Sequence, residues 1–128
     1  MSEENKRIQE WLEKFHRLVD ESYAKLRLIK VRRQEEEREE RWISKRSRFD
    51  TQRFRKLLVR GLLELYHLAE TNARNRVLDM GERIKWTRVA AYIAQTINTI
   101  MDTYDAVKIE QVLDELKQYV KIQLEEGR

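Results

Sequence analysis

Glutamate precedes each of the two histidines in this chain by three positions, in the pairs Glu13/His16 and Glu64/His67. Such a pair lies on one side of a helix, and di-iron carboxylate bundles use two of them as metal ligands. At 100° per residue, however, Glu64 and His67 lie about 100° and 160° from an apolar stripe centred on Leu65, so both face outward. The predicted third helix also has no carboxylate between residues 83 and 101. We therefore predict surface histidines and no metal ion or other cofactor.

Hydrolytic and redox chemistry lack a recognisable signature. The sequence has no cysteine and only three glycines, which excludes thiol nucleophiles, thiolate metal sites and disulfides and leaves no glycine-rich phosphate loop. No nucleophile elbow or Ser/His/Asp arrangement can be recognised from spacing. We predict that the protein is not an enzyme and takes no small-molecule substrate.

Positive charge is concentrated in residues 25–60, which hold fourteen of the 27 basic and six of the 23 acidic residues. This segment carries +8 and the rest of the chain −4. Within residues 41–60, eight basic residues stand against Asp50 alone, a net charge of +7. Duplex DNA presents a phosphate charge about every 1.7 Å along its axis, so a rigid basic row is a natural electrostatic partner. Without a helix-turn-helix, zinc-finger or RNA-binding signature, we predict backbone contacts to nucleic acid, expected to be double-stranded DNA.

The predicted nucleic-acid-binding residues form two sets. Arg53, Lys56 and Arg60 recur at spacings of three and four, opposite the apolar stripe of their helix. The earlier basic cluster encircles the first helix, and it has an alternative interpretation as a partner for acids of residues 35–40 or of a neighbouring subunit. The complete predicted set is Lys25, Arg27, Lys30, Arg32, Arg33, Arg41, Lys45, Arg46, Arg48, Arg53, Arg55, Lys56 and Arg60.

Three aromatic residues, Trp42, Phe49 and Phe54, are interleaved with the basic residues. They could stack on exposed bases or anchor the chain to its own core. Phe54 falls on the apolar stripe of its helix, which favours the core for that residue.

Composition predicts an all-α protein of one domain's size. The chain has no proline and few glycines, so it lacks the turn residues of a many-stranded β fold. Its 39% charged residues are typical of long solvated helices. The high content of Glu and Arg, together with the absence of cysteine, indicates a thermophilic source. No apolar run approaches the roughly 18 residues of a membrane span, and the first residues are acidic, so we expect a soluble, intracellular protein without a membrane partner.

Apolar spacing predicts about four helices. The first is expected to run to about residue 40 and to be roughly 55 Å long, so its distal half must project, bend or lie on something else. We predict a turn at residues 44–47, because serine side chains there compete with the helical hydrogen bonds of the backbone. A second helix is expected to begin near Asp50. Residues 71–78 are either helix or connection. A capping box from Asp79 to Glu82 opens the third helix, and residues 102–105 cap the fourth.

Each helix has an apolar stripe that predicts its buried face. In the first two helices the predicted members are Ile8, Trp11, Leu12, Phe15, Leu18, Val19, Tyr23, Leu26 and Ile29, then Phe54, Leu58, Leu62, Leu65 and Ala69. In the last two they are Ile84, Ala90, Ala91, Ile93, Ala94, Ile97, Ile100, Met101 and Tyr104, then Ile109, Val112, Leu113, Leu116, Val120 and Leu124. The third helix carries the least charge, so we expect it to be the most buried.

The predicted organisation is a long charged N-terminal helical arm with a basic hinge (residues 1–48) followed by a compact helical bundle (49–128). With the charge pattern of residues 25–60 and the aliphatic segment 84–124, this layout resembles the major capsid proteins of filamentous archaeal viruses. The resemblance implies arms that wrap virion DNA, a bundle that forms the outer shell, and assembly with itself or a related subunit. The acidic residues 35–40 depart from a purely basic arm.

These observations lead to one functional hypothesis and one alternative. The hypothesis is a structural, self-assembling DNA-packaging protein, located in a virion if viral and otherwise in the cytoplasm or nucleoid. The alternative is a helical adaptor whose stripe over residues 8–29 forms an intermolecular coiled coil and which binds no nucleic acid.

Overall fold

The protein forms a bundle of four helices, described here from a computed structural model. The structure describes residues 2–36 and 43–126, with the side-chain surroundings of residues 2–31 and 51–126. The helices are α1 (Glu3–Glu36), α2 (Ile43–Arg74), α3 (Met80–Met101) and α4 (Ala106–Val120), and a π-helical turn (Lys121–Glu125) extends α4. No strand occurs in these described residues, and the predicted all-α fold with a long N-terminal helix is confirmed.

α1 lies in the same core as the other helices. Its apolar stripe is buried as predicted, with Leu18 and Tyr23 partly buried at its edges. The side chain of Lys30 pairs with Glu110 of α4. The part of α1 from residue 3 to residue 30 therefore lies on the bundle, because its apolar stripe up to Ile29 is buried there.

α2 begins at Ile43, so the predicted turn at residues 44–47 and the predicted start near Asp50 are wrong. The segment contains neither glycine nor proline, and a serine in a helix costs only about 0.5 kcal/mol relative to alanine. Its neighbours Lys45 and Arg46 favour helix. The connection between α1 and α2 falls in residues 37–42, outside the described residues. The predicted domain boundary at residue 48 falls within α2. The side chain of this residue is also outside the described part of the chain.

The second and fourth helices bury the stripes that their spacing predicts. Phe54 is in the core, where it is 5% exposed. Gly61 lies where α1 crosses α2, since a Cβ there would come within 2.7 Å of Leu18 Cδ1. The missing side chain lets the two helices approach closely, as expected for glycine at a helix crossing.

The buried face of α3 agrees only in part with the predicted one. Ala90, Ile93, Ile97 and Ile100 are in the core, but the prediction missed Trp86 and Val89, which are fully buried. Four residues predicted to be buried are exposed, namely Ile84, Ala91, Met101 and Tyr104, and Ala94 is half-buried. Eight of the 22 residues of α3 are buried, against six of the 15 residues of α4, so the two helices are buried to a similar extent. The apolar residues of α3 cover more than one face, so low charge alone did not identify the inward side.

Polar caps mark the connections between the helices. The α2 helix continues to Arg74, which resolves the ambiguous segment 71–78 into helix followed by a tight turn. Asp79 Oδ1 accepts a hydrogen bond from the backbone N–H of Glu82 at 2.8 Å, so the predicted start of α3 is confirmed. Asp105 caps α4 in the same manner through the N–H of Val107, at 3.0 Å.

Trp11 joins three helices at the centre of the bundle. Its ring stacks on Phe15 with centroids 5.2 Å apart, and it meets Trp86 of α3 edge to face at 5.6 Å. Its indole Nε1 donates a hydrogen bond to the carbonyl oxygen of Leu65 in α2, at 3.1 Å. The large apolar area of the ring is thus buried while its one polar atom keeps a partner.

Leu58 and Leu57 provide a matched test of the buried face of α2. Leu58 is 1% exposed and Leu57 is 43% exposed. Leu58→Ala should lower the free energy of unfolding by about 2–5 kcal/mol, because it leaves a cavity, and Leu57→Ala should lower it by less than about 1 kcal/mol. Urea denaturation followed by circular dichroism measures both. Equal losses would contradict the assignment of this face.

Candidate nucleic-acid interface

The outer side of α2 presents a row of three cations, Arg53, Lys56 and Arg60. All three are exposed, and none of them forms an ion pair within the part of the chain that the structure describes. From Arg53 to Arg60 the row extends roughly 10 Å at 1.5 Å per residue. We call these three residues the α2 row.

The opposite side of the same helix holds the α2 row in place. Phe54 and Leu58 lie between these cations in sequence and Leu62 follows them, and all three are buried, so the backbone that carries the row is packed into the core. No acidic residue occurs between Asp50 and Glu64, which leaves the charge of this stretch uncompensated along the helix. The row is therefore positive and rigid at its base.

Arg55 lies beside the row but has a different environment. Its Nη1 and Nη2 donate to the carbonyl oxygens of Thr103 at 2.9 Å and Met101 at 3.1 Å, at the end of α3. The guanidinium also lies over the ring of Tyr104, 4.1 Å from its centroid. A cation is favourable at a helix C-terminus, where the last carbonyls lack intrahelical donors. Arg55 thus joins α2 to α3, and its predicted contact with nucleic acid stays a prediction.

The basic residues of α1 are separate from the α2 row. Lys30 pairs with Glu110, and Arg27 lines a cleft between α1 and α4. Lys25 is exposed on α1. The predicted residues whose side chains lie outside the described part of the chain are Arg32, Arg33, Arg41, Lys45, Arg46 and Arg48, as are the aromatic residues Trp42 and Phe49.

The cleft between α1 and α4 has a volume of about 690 Å³ and contains both signs of charge. Tyr23 donates its hydroxyl hydrogen to Asp114 Oδ1, and Lys117 Nζ lies 5.7 Å from the centroid of the Tyr23 ring. Burial, and then the hydrogen bond to this carboxylate, raise the pKa of Tyr23 well above its ordinary value. Tyr23 is therefore a stable proton donor that binds α1 to α4 rather than a base or nucleophile.

The two Glu-x-x-His pairs do not converge. His16 Nε2 lies 2.8 Å from Glu125 Oε1 in the π-helical turn, and Glu13 lines the separate cleft between α1 and this turn. Glu64 lines a different cleft, between α1 and α2, and His67 is exposed with its ring against Tyr66. Each histidine thus belongs to its own part of the surface.

A third group of acids does converge, at the start of α3. The carboxylates of Glu4, Asp79 and Glu82 have oxygens within 4.8 Å of one another. Both oxygens of Glu82 accept hydrogen bonds from Arg7, from Nε and Nη2 at 2.9 Å each, and the Asp79 carboxylate caps the helix. Glu82 is only 3% exposed, so its charge is balanced by Arg7. This group is a structural ion pair that joins α1 to α3.

Sequence reasoning missed the role of Glu82. Its position three residues after Asp79 predicts a capping box, in which the glutamate would bond back to the cap. Glu82 instead accepts from Arg7, which is 75 residues away in sequence. No local signal in the sequence links the two residues, because their contact depends on how α1 lies across α3.

Replacing Arg7 tests whether the folded protein needs its guanidinium to balance the buried charge of Glu82. Arg7→Met should lower the free energy of unfolding by about 3 kcal/mol, the lower end for a buried pair, because the Arg7 side chain is 29% exposed. Adding Glu82→Gln should restore part of the loss, since no charge is then buried. Urea denaturation of the single and double variants measures this, with exposed Arg17→Met as the control. Additive losses in the double variant would contradict a coupled pair.

Comparison with protein-family models, with curated proteins and with solved structures found no match to this chain. No helix among the described residues is both long and apolar enough to span a membrane.

Proposed function

We propose that this protein is a structural nucleic-acid-packaging protein that binds the DNA backbone without sequence specificity and assembles with further copies or a related subunit. The observation that carries the proposal is the α2 row. Its three cations are exposed and free of ion pairs among the described residues, and they lie opposite a buried leucine stripe. Such a row can contact successive phosphates without any rearrangement of the bundle.

Phosphate contacts explain the composition of the row better than base contacts do. Lys56 is a point charge on a flexible stem, and the one amide side chain beside the row, the exposed Gln52, lies at its N-terminal end. Backbone contacts position a protein on a duplex and carry no sequence information. Binding should therefore weaken steeply with salt and vary little with sequence.

We expect the basic residues of α1 to contribute less to DNA binding than the α2 row. The charge of Lys30 is balanced by Glu110, and Arg27 shares its cleft with Glu110 and Asp114. These acids reduce the positive potential on the α4 side of α1. No acid lies between the cations of the α2 row, and the nearest acids along the helix, Asp50 and Glu64, lie one turn beyond its two ends. We therefore place the primary contact at this row.

Packaging in a filamentous virion is the narrower form of the proposal, and it derives from the resemblance in charge pattern and size. The coiled-coil alternative depended on the apolar stripe over residues 8–29. That stripe is buried by α2, α3 and α4, so it offers no seam to a partner. A coiled coil would have to use the opposite side of α1, where acids and bases alternate.

Neutralising the α2 row tests the proposal directly. The triple variant Arg53→Gln, Lys56→Gln and Arg60→Gln should weaken binding to a short duplex while the bundle stays folded, because these side chains lie off the packed face. The slope of log affinity against log salt should fall by about 0.9 for each phosphate that the variant no longer neutralises, about 2.7 in all. Fluorescence anisotropy over a salt series measures both quantities.

A matched control removes the same charges elsewhere. Arg76, Arg88 and Lys108 are exposed on other parts of the bundle, so their replacement by Gln changes the net charge equally. This variant should lose much less affinity than the first and keep most of its salt slope. Equal losses would mean that net charge alone governs binding. A salt slope near zero for the unmodified protein would refute the nucleic-acid proposal.

Electron microscopy distinguishes packaging from simple binding. Negative staining of the protein mixed with a long duplex should show regular filaments of constant width, because identical subunits that contact both DNA and one another repeat at a fixed spacing. Bare DNA with scattered protein would contradict the packaging role while leaving backbone binding intact.

A further inference from the structure

The outer side of α2 carries an imidazole beyond the end of the α2 row, that of His67. Arg60 and His67 are seven residues apart, which is close to two full turns. Their side chains therefore leave the helix within about 20° of each other, at 100° per residue. His67 is exposed, as the three cations of the row are. The face that begins at Arg53 thus continues to His67, over a length of roughly 21 Å at 1.5 Å per residue.

The two histidines of the chain have different surroundings. His16 Nε2 already lies against Glu125 Oε1, at 2.8 Å, between α1 and the π-helical turn. The imidazole of His67 forms no hydrogen bond or ion pair within the described part of the chain, and its ring meets Tyr66 edge to face with centroids 5.4 Å apart. Histidine is the side chain that ordinarily changes its charge between pH 5 and 8. His67 can therefore add a positive charge to this side of α2.

Two acids flank His67 along the helix, and their environments differ. Glu70 Oε1 lies 2.5 Å from Nη2 of Arg74, and its hydrogen bond with the hydroxyl of Tyr66 raises the pKa of that tyrosine. Glu64 is exposed and forms no ion pair among the described residues. With a neutral imidazole, the charge of Glu64 repels phosphates at this end of the row. A protonated His67 offsets that charge, because residues three apart are neighbours on a helix surface.

The helices packed against α2 supply the other charged groups near this end of it. Arg83 of α3 donates from Nε to the carbonyl oxygen of Ala73, at 2.9 Å, and so binds the end of α2. On α1 the charged groups line the groove that Glu64 also lines, and they are Lys14, Arg17 and Glu21. No other histidine is among them, so His67 is the group on this face that ordinarily titrates near neutral pH.

We infer that His67 is a fourth phosphate-binding residue of α2, which contacts the DNA backbone when its imidazole is protonated. The inference rests on the proposed function and adds the regulation of that site by pH. With neutral His67 the row ends at Arg60, and the charge of Glu64 lies beyond it. With protonated His67 the row gains a cation and the charge of Glu64 is offset. One more phosphate is then neutralised, and binding becomes more sensitive to salt.

The salt dependence of binding at two pH values tests the inference. Between about pH 7.5 and about pH 5.5 a histidine ordinarily gains its proton, and the slope of log affinity against log salt should steepen by about 0.9, the value for one phosphate. His67→Gln should remove this difference, because glutamine is neutral at both pH values. His16→Gln makes the same substitution on another side of the bundle and should keep the difference. Fluorescence anisotropy with a short duplex measures all three proteins.

His67→Lys is the second variant, because it places a permanent cation at the same exposed position. It should show the steeper slope at both pH values, with the helical circular dichroism unchanged. Proton NMR of the two imidazoles gives an independent readout. Addition of the duplex should move the titration of His67 to higher pH and leave that of His16 in place, because a nearby phosphate favours the charged imidazole.

The outcomes separate this inference from the proposed function. Binding with the same slope at both pH values would leave the α2 row as the contact and overturn the role of His67. A difference that His67→Gln retains, or that His16→Gln abolishes, would assign the pH response to another group and overturn it as well. If the unmodified protein binds no duplex at either pH, backbone binding itself fails, and the role of His67 fails with it.

Discussion

Burial of Trp11 is the interaction on which the arrangement of this bundle depends. The ring stacks on Phe15, meets Trp86 of α3 edge to face, and donates its indole hydrogen to α2. One side chain thus connects three helices, including the two that lie diagonally across the bundle. The Arg7–Glu82 pair one turn away joins the same two helices through a buried carboxylate. Together these contacts fix how α1 lies across α3, and that in turn determines which sides of α2 and α3 remain outside.

The charge of the bundle surface differs from one helix to the next, so the charge of the whole segment 25–60 does not describe it. On α1 and α4 the cations share clefts with Glu110 and Asp114, so each sign partly cancels the other. On α2 the three cations of the α2 row face away from the core with no acid between them, and on α3 no charged residue occurs from residue 89 to residue 101.

Where one face of a helix was apolar and the other charged, the pattern alone identified the buried residues. Leu58, Leu62 and Leu65 of α2 and Leu113 and Leu116 of α4 are buried as their spacing indicates. In α3 apolar and small residues occur on several sides, so Trp86 and Val89 were missed and Ile84 was placed in the core. The turn predicted near residues 44–47 failed for a related reason. Local propensity there is nearly neutral, and no glycine or proline enforces a break.

The sequence by itself determined the all-α fold, the faces of α1, α2 and α4 that pack, and the position of the α2 row, because these follow from periodicity within one helix. Only the tertiary structure decided which of the described cations bind other parts of the protein and which face solvent. Lys30 and Arg55 look the same as Arg53 in sequence, yet one pairs with Glu110 and the other binds the end of α3. Their partners are 80 and 48 residues away, and no local pattern encodes contacts at that separation. Likewise, only the packed structure shows that Trp86 and Val89 lie on the inward side of α3.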